Sequence, residues 1–145
     1  IMDGLLHIIY GITFFGARIE VIIGSILPDI PYIIAAIKSK FNIEKTKRSK
    51  IFIYGERLHS LLFWPVIIFL LYAIFKYESL VYLLAAVYCH IIADIITHRD
   101  YGPRFFWPII DEYYPRGLCQ WENKKVSMIA YTIGISAFII RYIVL

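Results

Sequence analysis

Between Leu80 and Thr97 the chain runs through eighteen residues of which only Asp94 is formally charged. A helix of that length and polarity suits the interior of a bilayer, whose hydrocarbon core is about 30 Å thick. A carboxylate placed there is costly unless a cation or proton compensates it. His90 lies four residues before Asp94 and His98 four after. Residues at that spacing share one helical face, with about 6 Å between Cβ atoms, so His90 and Asp94 can share one ion. A metal ion is the candidate for offsetting Asp94.

The rest of the chain supports a membrane setting. Hydrophobic residues make up 60% of the 145, against roughly 45–50% in ordinary soluble domains. A soluble helical protein this apolar would expose large patches. Twelve Tyr, ten Phe and three Trp fit rings at membrane–water interfaces. Besides Leu80–Thr97, the stretches 61–75 and 126–145 read as spans. Segments 1–15 and 21–27 are apolar but interrupted by Arg18 and Glu20. They predict one tilted or broken helix ending at Leu27-Pro28-Asp29, followed by a short interfacial helix over 32–38, because Pro28 and Pro31 oppose a smooth helix. The expected fold is all-α: an integral membrane bundle of about four transmembrane helices plus short interfacial ones, forming a single domain over 1–145. No cleavage pattern follows the first apolar stretch, so it is expected to stay in the mature protein. Cys89 reads as a small core residue; Cys119, in a polar loop, lacks the second Cys or His of a zinc ribbon.

The net charge of +4 is informative through its placement. Segment 38–57 carries Lys38, Lys40, Lys45, Lys47, Arg48, Lys50 and Arg57 against Glu44 and Glu56. By the positive-inside rule this loop is cytoplasmic, as is 98–125 after the 61–75/80–97 hairpin. The loop abuts a span, so topology and anionic headgroups account for its charge, and no nucleic acid is expected. With the hairpin turn near residue 77, His59 lies 18 residues before it and Asp94 17 after. Equal antiparallel arms bring the two to one level near the cytoplasmic face, with His90 about 6 Å deeper.

Asp29 ends an apolar run and reaches the same face; it reads as a ligand or as a turn carboxylate. His7 sits in an apolar helix at a depth the pattern leaves open. His98 is a ligand, a helix C-terminal cation or a general acid/base. Arg104 is an anion clamp or a charge reaching for headgroups. Phe105-Phe106-Trp107-Pro108 reads as an interfacial anchor covering the site.

Gly4-Leu5-Leu6-His7, Gly24-Ser25-Ile26-Leu27-Pro28-Asp29, Arg57-Leu58-His59-Ser60-Leu61-Leu62, His90-Ile91-Ile92-Ala93-Asp94, and Thr97 with Gly102-Pro103-Arg104-Phe105-Phe106-Trp107-Pro108 occur in this order. They resemble the YdjM-like inner-membrane proteins, described as membrane-bound metal-dependent hydrolases. The order His, Asp, His, His-x-x-x-Asp is also similar to the zinc-dependent phospholipase C and nuclease class. The resemblance implies His7, Asp29, His59, His90 and Asp94 as metal ligands. It also implies an inner-membrane location. The chain departs from the family pattern at Pro31 and Tyr32, where an acidic residue and His are common, and at Tyr54, where another His is common. Fewer ligands imply one or two ions, zinc first and other divalent metals next.

The expectation is a hydrolase of phosphoester or ester bonds in a lipid or lipid-linked substrate. Asp29 or Asp94 would accept the proton of a zinc-activated water, His98 would protonate the leaving group and Arg104 would hold the substrate anion. The alternative is a non-catalytic metal-binding or ion-conducting membrane protein. A third possibility is a structural subunit in which His90 and Asp94 simply pair across helices.

Overall fold

The computed structural model describes residues 4–97, 104–112, 117–119 and 123–144. The described residues are helical or irregular, with no strand. The helices are α1 (Gly4–Phe15), α2 (Ile19–Ile26), α3 (Ile30–Lys38), α4 (Ile43–Lys47), α5 (Lys50–Leu58), α6 (Phe63–Phe75), α7 (Leu80–Thr97) and α8 (Lys124–Ile139). A 3-10 turn, Leu27–Asp29, joins α2 to α3, and α8 widens into a π-helical turn over Ile140–Val144.

The N-terminal region departs from the expected single broken helix. Gly16 adopts φ 92°, a left-handed conformation natural to glycine, and Arg18 is extended. The chain therefore reverses at 16–18. Gly11 of α1 lies so close to Val21 and Ser25 of α2 that a Cβ there would meet both side chains. The two helices form an antiparallel hairpin. The interruption expected at Pro28 and Pro31 is the 3-10 turn Leu27–Asp29, which does not break the helical run. Each proline occupies the first turn of its helical element, where a missing N–H costs no intrahelical bond. The helical run Ile19–Lys38 is consequently continuous for 20 residues, and the separate interfacial helix over 32–38 is its second half.

Among the described residues, three helical runs are long and apolar enough to cross a membrane: Ile19–Lys38, Leu80–Thr97 and Lys124–Val144. The pair α5–α6, bent by 75°, makes a fourth if counted as one broken span. Helix α6 starts two residues later than expected, because the Ser60 hydroxyl accepts the N–H groups of Leu62 and Phe63 at 3.0 and 3.2 Å. At about 1.5 Å per residue its 13 residues fall short of a hydrocarbon core on their own.

Helices α2 and α7 touch nearly backbone to backbone. A Cβ at Gly24 would lie 2.5 Å from the Leu83 carbonyl oxygen. Beside this contact, Trp64, Val87, Ile91 and Phe105 form a buried apolar cluster. Large apolar side chains on α6 and α8, among them Phe69, Ile74, Ile129 and Ile133, are exposed. A bilayer accounts for such a surface.

Candidate metal centre

Five ionisable side chains converge within the bundle from four local settings. His7 comes from α1, Asp29 from the 3-10 turn, His59 from the break after α5, and His90 and Asp94 from one face of α7. All five are at most 3% exposed. The α1–α2 hairpin brings His7 level with Asp29, and the α6–α7 hairpin brings His59 to Asp94. His59 Nε2 lies 3.2 Å from Asp94 Oδ2 and 3.5 Å from Asp29 Oδ1. His90 Nε2 lies 3.3 Å and 3.7 Å from the same two oxygens. The two Nε2 atoms are 3.2 Å apart. His7 stacks on His90 with ring centroids 3.6 Å apart, and its Nε2 is 3.4 Å from Asp94 Oδ1.

The outer hydrogen bonds define which atoms face inward. His59 Nδ1 lies 2.8 Å from the Gly55 carbonyl oxygen, and His90 Nδ1 lies 2.7 Å from that of Ser25. A carbonyl only accepts, so each Nδ1 carries the proton. In the neutral rings both Nε2 lone pairs then point into the cluster, the arrangement in which metal-bound histidines are held. Two lone pairs facing each other and two carboxylates repel unless a cation lies among them. His7 adds two nitrogens, and Asp29 its Oδ2, that are buried without a hydrogen-bond partner. Such orphans cost about 1–3 kcal/mol each. Among the described residues, two groups have the spacing to hold an ion: His7, Asp29 and His90, and His59, His90 and Asp94. The donor set therefore fits a divalent cation, and these buried His/Asp groups could hold one.

A family model described as YdjM inner membrane protein matches residues 2–144. The chain belongs to the YdjM inner membrane protein family. No curated protein and no solved structure matches it.

The departures from the YdjM pattern fall in two different places. Tyr32 packs its ring on His59, with centroids 5.0 Å apart, and against Gly55, where a Cβ would come within 2.5 Å of that ring. Tyr32 thus fills space beside the centre. Tyr54 is 59% exposed, and its ring lies near Arg57.

The segment 104–112 lies across the α5–α6 break. Arg104 donates its backbone N–H to Glu56 O at 3.1 Å, and Phe105 O accepts from Leu61 N–H at 2.9 Å. The Ser60 hydroxyl, one residue from His59, reaches the carbonyls of Phe105 and Trp107. Phe105 is buried in the apolar cluster with Trp64, Val87 and Ile91, whereas Phe106 is exposed. Arg104 is already engaged: Nη1 is 2.6 Å from Asp111 Oδ1, and Nε is 4.0 Å from Glu56 Oε2. Arg57 Nη2 holds the other Asp111 oxygen at 2.8 Å. His98 lies outside the described residues. Cys119 donates its thiol to the Ile96 carbonyl, away from the five side chains.

Sequence reasoning missed three contributors. Glu56 entered only as a charge in the basic loop, yet it is 5% exposed beside Arg104. Ser60 and Asp111 were not singled out. Arg57 followed by Arg104 holds the Asp111 carboxyl below the usual carboxylate range. A depressed pKa contributes above the unfolded value, near 4, and its contribution is lost as pH falls through the folded value. Hydrogen exchange at the Leu61 amide, corrected for intrinsic rate, is therefore expected to stay constant from pH 7 to about 5 and to quicken below about 4. Asp111→Asn should show the fast rate throughout; unchanged protection in that variant would show that the Arg57–Asp111–Arg104 pairing does not hold segment 104–112 in place.

Proposed function

We propose that the chain is a membrane-bound metal-dependent hydrolase that cleaves a phosphoester or ester bond of a lipid or lipid-linked substrate. The observation that carries this reading is the buried convergence of three imidazoles and two carboxylates with their lone pairs facing inward. Mixed imidazole and carboxylate donors suit zinc, with manganese and iron accepting similar sets. His59, His90 and Asp94 would hold the ion, with His7 and Asp29 adjoining. When bound, zinc supplies Lewis acidity and lowers the pKa of a water towards about 7.

The chain's own groups divide the remaining work. Asp29 is the better proton acceptor of the two carboxylates, because it is the less engaged: His59 and His90 lie 3.5 and 3.7 Å from it, whereas His59, His90 and His7 lie 3.2, 3.3 and 3.4 Å from Asp94. Asp94 Oδ2 stands between the two imidazoles and serves as ligand. His98, following α7, would protonate the leaving group. Arg104 could hold a substrate anion only by exchanging Asp111 for it. The basic segment 38–57, which folds into α4 and most of α5, supports a centre near the cytoplasmic face.

A non-catalytic metal centre is the second reading, favoured by the near-complete burial of all five side chains. One comparison separates the two. Zinc-loaded protein in phospholipid micelles is expected to release phosphorylated headgroup or fatty acid, and Asp94→Asn to lower that rate roughly a thousandfold. Equal rates in the two proteins would discard the hydrolase and leave the non-catalytic centre.

A further inference from the structure

We propose that the groove between α1, α7 and α8 binds one acyl chain of an anionic bilayer phospholipid, holding that lipid beside the His/Asp centre. The inference rests on the hydrolase reading for its purpose but on separate residues for its evidence. The groove encloses about 500 Å³, within the roughly 300–1,000 Å³ of ligand sites. Its walls are Leu6 and Tyr10 from α1, Cys89 and Ala93 from α7, and Ile129 and Ile133 from α8. Along α7 it extends from Cys89 to Thr97, about 12 Å at 1.5 Å per residue.

The occupant follows from where the groove opens. Two of its walls belong to helical runs of membrane-crossing length, and the α8 run is the least buried of the three. Hydrocarbon, not water, therefore surrounds the opening, and the medium there consists of acyl chains. The groove also has a polar end. Thr97, Cys119 and Val126 line it where α7 finishes and α8 begins, and Lys125 immediately precedes Val126, with Lys124 turned towards a neighbouring groove. Cations in the first turn of a helix oppose its dipole. An anionic headgroup at that level offsets the cost, which selects a lipid bound tail-inward with its phosphate at Lys125.

The register relates this groove to the centre. Leu6 adjoins His7, Cys89 adjoins His90, and Ala93 adjoins Asp94, so groove and centre occupy neighbouring faces of α1 and α7 at one depth. Asp94 lies one helical turn before Thr97, about 4.5 Å along the axis. A tail lying in the groove thus delivers a glycerophosphate ester to the level of the ligands.

Photolysis of the full-length protein in phosphatidylcholine nanodiscs, doped with a phosphatidylglycerol carrying a diazirine in one acyl chain, tests this directly. Adducts are expected to be about fivefold more abundant on 89–97 and 126–133 than on the exposed end of α6 at Ile74 and Phe75, a ratio of about 1 kcal/mol in local affinity. Ala130→Trp fills the groove from α8 and should erase that excess, leaving the α6 adducts and the metal content as in wild type. Equal labelling of groove and α6 in the wild type overturns the proposal even if the variant fails to fold. So does an undiminished excess in a folded Ala130→Trp protein. Groove labelling without any hydrolysis would retain the acyl site and remove the hydrolase reading instead.

Discussion

Purified in zinc-containing buffer, the protein is expected to retain one zinc ion per chain, and His90→Ala to weaken its binding by more than about 100-fold. The stoichiometry follows from the imidazole hydrogen bonds. His90 belongs to both candidate groups, but its Nδ1 is committed to the Ser25 carbonyl. One lone pair, on Nε2, remains, and it can bind one ion. The two groups are thus alternative settings around a shared ligand. His90→Ala removes the common member of both, whereas His7→Ala and His59→Ala each leave one group whole. Loss of a hydrogen-bond partner behind a ligand already costs roughly 10–100-fold in affinity, so loss of the shared ligand should exceed that and loss of His7 fall nearer to it. Metal-to-protein ratios after dialysis against graded chelator measure all three. Absence of a stoichiometric divalent ion would remove the metal centre, and two ions per chain would contradict the tautomer argument.

Asp94→Asn is expected to change stability with opposite signs in the presence and absence of metal. In the metal-free protein, Asp29 and Asp94 confront each other across the same two imidazoles. Neutralising one relieves a buried charge, so the chelated variant should be at least as stable as chelated wild type. With zinc at about a thousand times its dissociation constant, wild type gains roughly 4 kcal/mol that the variant lacks. If His90 and Asp94 were only a structural ion pair, breaking it would cost about 3–5 kcal/mol with or without chelator. Thermal unfolding of both proteins in detergent, each with zinc and with chelator, distinguishes the patterns. A large loss of stability in the chelated variant would favour the structural pair.

Much of the bundle was legible because apolar length is a strong signal: α7 begins and ends where hydropathy places it. The meeting of His59 with Asp94 was equally legible, since it needed only a turn position and equal arms. The N-terminal hairpin was not. Arg18 and Glu20 looked like an interruption within one helix, while the reversal depends on a positive φ at Gly16, which a lone glycine does not announce. That missed turn is also why the depth of His7 stayed open. Pro28 and Pro31 misled in the other direction, because proline breaks a helix interior but is tolerated in a first turn. The Arg57–Asp111–Arg104 cluster joins residues up to 54 positions apart, and no periodicity encodes such a contact.

The order of the parts along the chain has a consequence for biogenesis. Every proposed ligand lies between residues 7 and 94, ahead of α8. The proposed centre could therefore assemble while α8 is still being synthesised, and metal capture would not wait for that helix. The acyl groove cannot form so early, because it takes its third wall from 126–133. A nascent chain would hold its ion before it could hold its lipid, and insertion of α8 would separate a loaded precursor from a working one.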